Sequence, residues 1–126
     1  MKKLLLSLAT ASLLAFSAAP VTAAPMADTA PKSVIHVVTV SFKADAKPEQ
    51  IKAALDGVQA LPATYKGITR VWTRAIKVQG GKTHAIVMEF ADEAALKAYA
   101  GSPAQKDWYK VYLPVREEST TFDITN

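Results

Sequence analysis

The sequence predicts one α+β domain, a four-stranded antiparallel sheet with helices on one face only. Three segments, 34–42, 68–78 and 83–90, alternate as strands do, and apolar residues at helical spacing follow Pro48 and Asp92. A last alternating segment closes the chain, so the order is β-α-β-β-α-(α)-β, a split βαβ sandwich. We interpret this order as placing the first and third strands side by side at the sheet centre and parallel. Right-handed crossovers put both helices on one face.

The first strand and the first helix follow from two kinds of periodicity. In residues 34–42, His36 shares one face with four apolar residues, and the opposite face is largely apolar too. Such a strand is typically covered on both sides. Pro48 suits the first turn of a helix. Apolar side chains then recur every three or four residues as far as Leu61, and we expect Pro62 to end this helix.

The second and third strands form a predicted hairpin around a glycine turn at residues 79–82. Asp92 is the expected N-cap of the second helix, and Gly101 is its expected stop. The last predicted strand covers residues 120–125, with Phe122 and Ile124 facing inward.

A further helix has a clear start signal. Ser102 has the position of an N-cap, Pro103 that of a first-turn proline, and Gln105 that of a capping-box partner. The helix that follows is rich in aromatic residues. We expect these aromatics, Trp108 among them, to belong to the core more readily than to a ligand pocket.

Helices on one face leave the other face of the sheet bare. We expect this bare face to carry Val37, Val71, Ala85 and Val87. Because exposed apolar surface costs about 25 cal/mol per Å², two such sheets are expected to pair face to face. The sequence therefore predicts a homodimer.

The first residues have the pattern of a secretory signal peptide. Lys2 and Lys3 precede an apolar stretch over residues 4–16, and small residues follow up to Ala23, the expected cleavage point. The stretch is shorter than the roughly 20 residues of a membrane span, although a retained anchor is the alternative. The predicted organisation is a signal peptide (1–23), a tether (24–32) and one domain (33–126), located in the periplasm or secreted, without stable membrane insertion.

Composition narrows the function further. Removing Lys2 and Lys3 lowers the excess of basic over acidic residues from four to two, and no basic cluster with interleaved aromatics remains. Nucleic acid is therefore not an expected partner. The absence of cysteine excludes thiol chemistry and cysteine metal sites. Two histidines without a third ligand make a poor metal site, so we expect neither a metal nor a cofactor.

The chain resembles the stress-responsive dimeric α/β-barrel (Dabb) family over roughly residues 33–125. The resemblance is carried by five features in order: residues 36–43, Leu61-Pro62, Gly81 to His84, the helix ending in Tyr99, and Phe122-Asp123. It implies a ferredoxin-like monomer and a dimeric barrel. The family includes plant polyketide cyclases of the olivetolic acid type, which use a tyrosine late in the second helix and a histidine in a following His-Pro-x-His segment.

Tyr99 matches the family's tyrosine, whereas Ser102 and Gln105 stand where the family has its two histidines. Gln105 falls on the position of the catalytic base, and glutamine cannot take up a proton near neutral pH. We therefore favour ligand binding over catalysis, with no residue assigned a catalytic role. His36, His84 and Tyr99 are the candidates if the protein is a cofactor-free cyclase or lyase. An oxygenase of a related barrel family is the weaker alternative.

The predicted pocket lies between sheet and helices and receives both histidines of the chain, His36 and His84, with Tyr99. Structural roles for all three are the competing interpretation. The expected ligand is a hydrophobic or aromatic small molecule, and the residues expected to contact it are His36, Val38, Val40, His84, Ile86, Met88, Tyr99, Gln105 and Trp108.

Overall fold

The computed structural model describes residues 32–125, so the predicted signal peptide and the tether before Lys32 lie outside the described residues. Among those residues, no helix combines the length and apolar character needed to cross a bilayer. The elements, in chain order, are β1 (Val34–Phe42), α1 (Pro48–Thr64), β2 (Ile68–Trp72), β3 (His84–Phe90), α2 (Glu93–Tyr99), α3 (Pro103–Tyr112) and β4 (Arg116–Ile124).

The sheet has the order β2-β3-β1-β4, and each strand is antiparallel to its neighbours. The predicted ferredoxin-like α+β sandwich is confirmed. Our expectation that β1 and β3 run parallel is wrong. The crossover through α1 makes β1 parallel to β2, and the turn back from β2 inserts β3 between them in the opposite direction.

The core lies between the sheet and the three helices. The predicted alternation of β1 is confirmed, because Val34, Val38, Val40 and Phe42 are all buried on the helix side. From β3, Ile86, Met88 and Phe90 join them, and α1 contributes Ala54, Val58 and Leu61.

The helix termini follow local chemistry with one departure. Asp92 accepts a hydrogen bond from the Ala95 backbone N–H at 2.7 Å, which confirms it as the N-cap of α2. α1 runs past Pro62 to Thr64, contrary to our expectation. Proline has a helical φ, and its missing N–H costs little here because the next turn still closes through Tyr65 N–H and the Leu61 carbonyl, 2.7 Å apart.

β2 is shorter than predicted, since it ends at Trp72 rather than at residue 78. Gly80 and Gly81 adopt φ angles of 67° and 74°, within a connecting segment that forms no strand. A β-bulge at Thr69 also shifts the frame of β2, because Ile68 lies opposite Phe90 while Arg70 already lies opposite Glu89.

We call the sheet surface that faces away from the helices the open face. The bulge moves Val71 off it and onto the core side, contrary to our expectation, and puts Trp72 on it, opposite Val87. Phe122 lies opposite Val37 on the same face, so Phe122 and its neighbour Ile124 do not point inward as predicted.

The open face is therefore more apolar than the sequence suggested. Trp72, Phe122 and Ile124 are 45%, 54% and 57% exposed. At one end of the face, Arg70 donates to the carboxylate of Glu89 and lowers the pKa of that buried group. An apolar centre with a paired charge at its border is the composition of a protein interface.

Candidate functional site

A cavity of about 100 Å³ lies between α2, α3 and the β1–β4 side of the sheet. We call it the tyrosine cavity. The lining residues come from all four of these elements and from β3: His36, Val38, Met88, Tyr99, Gln105, Trp108, Tyr109, Tyr112, Arg116, Ser119 and Thr121. Because β4 is an edge strand and Thr121 is exposed, the cavity opens along that edge.

β4 supplies the polar wall of this cavity. In the register with β1, Asp123 lies opposite His36, Thr121 opposite Val38, and Ser119 opposite Val40. Side chains of directly opposed residues share a face, so β4 turns polar groups toward the helices where β1 and β3 turn apolar ones. The sequence analysis missed this wall because it assigned Phe122 and Ile124 to the inner face. The signal was available in the alternation of Ser119, Thr121 and Asp123.

Two phenol groups inside the cavity have no hydrogen-bond partner. The hydroxyls of Tyr99 and Tyr112 are buried, and both residues are 2% exposed. Neither hydroxyl makes a hydrogen bond of normal geometry with a described residue, although Ser119 and Arg116 lie close to that of Tyr112. An unpaired buried polar group costs about 1–3 kcal/mol. Native proteins rarely leave two buried hydroxyls of one cavity without a partner unless there is a reason, and a ligand is one such reason.

Burial determines the protonation of both phenols. It raises the pKa of Tyr99, and the nearby Tyr109 adds to the effect. Burial also raises the pKa of Tyr112, while Ser119 and Arg116 act in the opposite direction. Both groups are therefore neutral phenols at physiological pH, able to donate a hydrogen bond to an oxygen in the cavity.

His36 is held by a carboxylate at the edge of the cavity. Its Nδ1 lies 2.5 Å from Oδ1 of Asp123, and its ring meets Phe90 edge-on at 5.9 Å between centroids. Because Nδ1 of His36 is paired with Asp123, Nε2 is the ring nitrogen that can contact a ligand. A carboxylate that fixes one ring nitrogen orients the other, as in acid–base catalytic sites.

His84 does not reach this site. It lies opposite Val40, four residues along β1 from His36, which is about 13 Å at strand spacing. Its Nδ1 contacts the hydroxyl of Thr83 at 2.8 Å and its ring packs against Phe42. The expectation that the two histidines converge is wrong, because it depended on parallel strands.

The remaining predicted residues divide between cavity and core. His36, Val38, Met88, Tyr99, Gln105 and Trp108 line the tyrosine cavity. Val40 and Ile86 do not: they are completely buried in the core beneath the helices. The structure adds Tyr109, Tyr112, Arg116, Ser119 and Thr121 to the lining.

Gln105 is engaged in local structure at both ends of its side chain. Its Oε1 accepts from the Gly101 N–H at 2.7 Å, and its Nε2 donates to the hydroxyl of Tyr109 at 3.2 Å. Ser102 caps α3 by accepting from the Gln105 N–H at 3.2 Å, as predicted, but the reciprocal bond goes to Gly101 rather than to Ser102 itself. The glutamine thus stabilises the α2–α3 turn and positions Tyr109.

A larger groove of about 520 Å³ lies beyond Asp123, between α2 and the end of β4. Leu96, Val34 and Ile124 give it an apolar lining, and its polar lining residues are exposed. The described residues contain no cluster of three or more His, Asp or Glu side chains suited to a metal.

Comparison with known proteins places this chain in a family. The family model for the stress responsive A/B barrel domain (Dabb) matches residues 34–126. This protein is a Dabb domain protein. A search of curated proteins gave no match.

Solved structures show the same fold at low identity. At3g17210 from Arabidopsis thaliana is 22% identical, with a TM-score of 0.67 over 74% of this chain and 94% of its own. The hydroxynitrile lyase of Passiflora edulis is 19% identical, with a TM-score of 0.68 over 76% and 94% of the two chains. A ferredoxin-like protein from Bacteroides fragilis, described as dimeric and of unknown function, is 20% identical, with a TM-score of 0.60 over 77% and 99%.

Proposed function

We propose that this Dabb protein is an exported homodimer that binds a small molecule through an oxygen atom placed in the tyrosine cavity. The observation that carries the proposal is the pair of buried, unpaired hydroxyls of Tyr99 and Tyr112. Export follows from the predicted signal peptide. Dimerisation follows from the apolar open face, and the Bacteroides fragilis relative is described as dimeric.

The chemistry of the lining defines the ligand. Tyr99, Tyr112, Ser119 and Arg116 can all donate hydrogen bonds, and the carboxylate of Asp123 is already paired with His36. A donor-rich cavity is complementary to an acceptor such as a carbonyl, carboxylate or phenol oxygen. The volume of about 100 Å³ is below the roughly 150 Å³ of a cavity that accepts benzene. The cavity therefore holds the oxygen-bearing head of the ligand, while a hydrophobic or aromatic remainder extends through the opening at β4.

Removing either hydroxyl is expected to raise the stability of the empty protein and to weaken ligand binding. Tyr99→Phe and Tyr112→Phe each delete an unpaired buried group. The free energy of unfolding of the empty protein should rise by about 1 kcal/mol, the low end of the cost given above, because the lost oxygen also leaves a small void. Affinity for a small carbonyl probe, propionamide, falls by about 3- to 10-fold because one hydrogen bond is lost. Chemical denaturation and NMR titration of the 15N-labelled protein measure the two quantities.

Tyr65→Phe is the matched control for that pair of variants. The Tyr65 hydroxyl donates to the Ala95 carbonyl at 2.7 Å and does not line the cavity. Its loss should lower stability by about 1 kcal/mol and leave propionamide binding unchanged. If Tyr99→Phe also lowers stability and leaves propionamide binding unchanged, the cavity hydroxyl is structural and the proposal fails.

A second candidate function is proton transfer without a cofactor, as in a lyase or cyclase. The specific observation is that the Asp123-oriented imidazole of His36 lines the same cavity as the neutral phenol of Tyr99. His36 can remove a proton next to a carbonyl while Tyr99 donates to the carbonyl oxygen. The structurally similar Passiflora edulis protein is a hydroxynitrile lyase, which supports an enzyme on this fold but not the reaction here.

The exchange of acetone α-protons for deuterium in D2O tests this second function. The protein should accelerate exchange over buffer, and His36→Ala should reduce the protein-dependent rate by about 100-fold or more. His84→Ala, which removes the histidine outside the cavity, should have no effect. Equal rates for these two variants, or no acceleration by the unmodified protein, would leave binding as the only function proposed.

A further inference from the structure

Arg116 brings a positive charge to the tyrosine cavity, and no carboxylate balances it. It lines the cavity beside Tyr112 and Ser119, and its guanidinium carbon lies 5.7 Å from the centroid of the Tyr112 ring. Among the described residues, no Asp or Glu oxygen lies within 4.0 Å of it. Of the acidic residues on β4, Asp123 pairs with His36, Glu118 pairs with Lys82, and Glu117 is exposed.

The backbone is arranged to direct this side chain inward. β4 and β1 slip register between Ser41 and Phe42, so that Ser41 lies opposite Glu118 while Phe42 lies opposite Arg116. Glu117 is therefore the extra residue of a β-bulge. Without the bulge, strict alternation would put Arg116 on the open face with Glu118. Bulges commonly redirect a side chain at a functional site.

We infer that the ligand of the tyrosine cavity is a carboxylic acid in its ionised form, and that Arg116 is the residue that selects the acid over neutral molecules. The inference rests on the proposed function, which requires only an oxygen acceptor for the two phenols. The position of Arg116 in the lining adds the requirement that the ligand carry a negative charge. An arginine holds a planar carboxylate through two parallel N–H donors, and Ser119 and Tyr112 stand beside it as neutral donors.

The alternative use of Arg116 is structural, as a cap on the aromatic ring of Tyr112. A cation over an aromatic ring contributes to stability and predicts no preference among ligands. A test must therefore compare the affinities of a charged and a neutral ligand, and not measure stability alone. Propionate and propionamide form a suitable pair, since they have the same shape and number of heavy atoms and differ in charge.

NMR titration of the 15N-labelled full domain with each probe gives the test. We expect the unmodified protein to bind propionate at least ~10-fold more tightly than propionamide, the scale of a charge-assisted hydrogen bond. Arg116→Gln should bring the two affinities to within about 2-fold of each other, because propionate loses a charge-assisted hydrogen bond and propionamide loses at most a neutral one. Arg74→Gln, an exposed arginine beyond β2, should retain the preference.

The outcomes distinguish the inference from the proposed function. Equal binding of the two probes to the unmodified protein overturns the role of Arg116 and leaves the phenol site intact. Binding of neither probe overturns the proposed function itself. If Arg116→Gln does not fold, Arg116→Lys provides the test. A lysine keeps the charge but lacks the two parallel N–H donors, so the preference for propionate should be intermediate. An unchanged preference would contradict selection by the guanidinium.

Discussion

Val87→Lys is expected to convert the proposed dimer into a folded monomer. Val87 lies in the middle of the open face, in a row with Trp72, Val37 and Phe122. Placing an ammonium group there costs several kcal/mol once a second sheet excludes water, because the charge has no partner. The dissociation constant should rise by roughly three orders of magnitude or more. Sedimentation velocity across a concentration series measures the change.

Val111→Lys is the matched control for the open face. Val111 is 40% exposed on α3, on the helical side of the molecule, so the same change of residue should leave the dimer intact. Circular dichroism should show both variants folded. A dimer of unchanged affinity for Val87→Lys would show that the open face is not the interface. A monomeric unmodified protein would remove the physical argument for pairing altogether.

Trp108→Ala is expected to cause the largest loss of stability of any change in the helical layer. Trp108 is 6% exposed, stacks on Tyr112 at 4.4 Å between ring centroids, and donates its indole N–H to the Ala54 carbonyl at 2.9 Å. It is the side chain through which α3 bonds to α1. Truncating a buried tryptophan costs about 3–5 kcal/mol, which is a large part of the 5–15 kcal/mol that typically separates folded from unfolded protein.

Trp108→Phe separates the two contributions of this residue. It retains a stacked ring and loses the hydrogen bond, so the loss should be about 1–2 kcal/mol, from the bond and the smaller ring. Urea denaturation monitored by circular dichroism gives both values. If Trp108→Ala costs less than about 1 kcal/mol, the contact between α1 and α3 does not hold the layer together, and the placement of Tyr112 in the cavity would be in doubt.

The sequence was sufficient for the parts of the fold that depend on periodicity and capping. The alternation of β1 placed Val38, Val40 and Phe42 correctly in the core, and Asp92 marked the start of α2. Both signals are local, since they arise from strand pleating and from the unpaired N–H groups of a helix terminus. The bare face also followed, because one-sided helices are a consequence of crossover handedness.

The errors arose where pairing between distant segments decides the outcome. A bulge in β2 reversed the face of Val71. A second bulge, in β4, turned toward the cavity Arg116, for which the sequence analysis made no prediction. A shift of one residue exchanges the two faces of a strand, and nothing in the local sequence marks an inserted residue. The direction of β3 determined the position of His84. Because β3 is antiparallel to β1, His84 lies at the opposite end of the strand pair from His36.

The candidate site was accordingly predicted in part. Tyr99, Gln105 and Trp108 come from helices whose starts are well marked, and they do line the cavity with His36. Tyr112 and the β4 wall depend on the register of the last strand, which the sequence analysis placed on the wrong face. The unpaired state of the two phenols is a property of packing in three dimensions, so no sequence pattern could have shown it.

A crystal structure of the protein soaked in propionate tests the central claim most directly, because the claim concerns two particular hydroxyl groups. We predict propionate in the tyrosine cavity, with a carboxylate oxygen within about 3.2 Å of the hydroxyl of Tyr99 or Tyr112, the range of a hydrogen bond. The claim would be contradicted if both hydroxyls were bonded to protein groups and the cavity closed, or if propionate bound elsewhere and left the phenols unpaired.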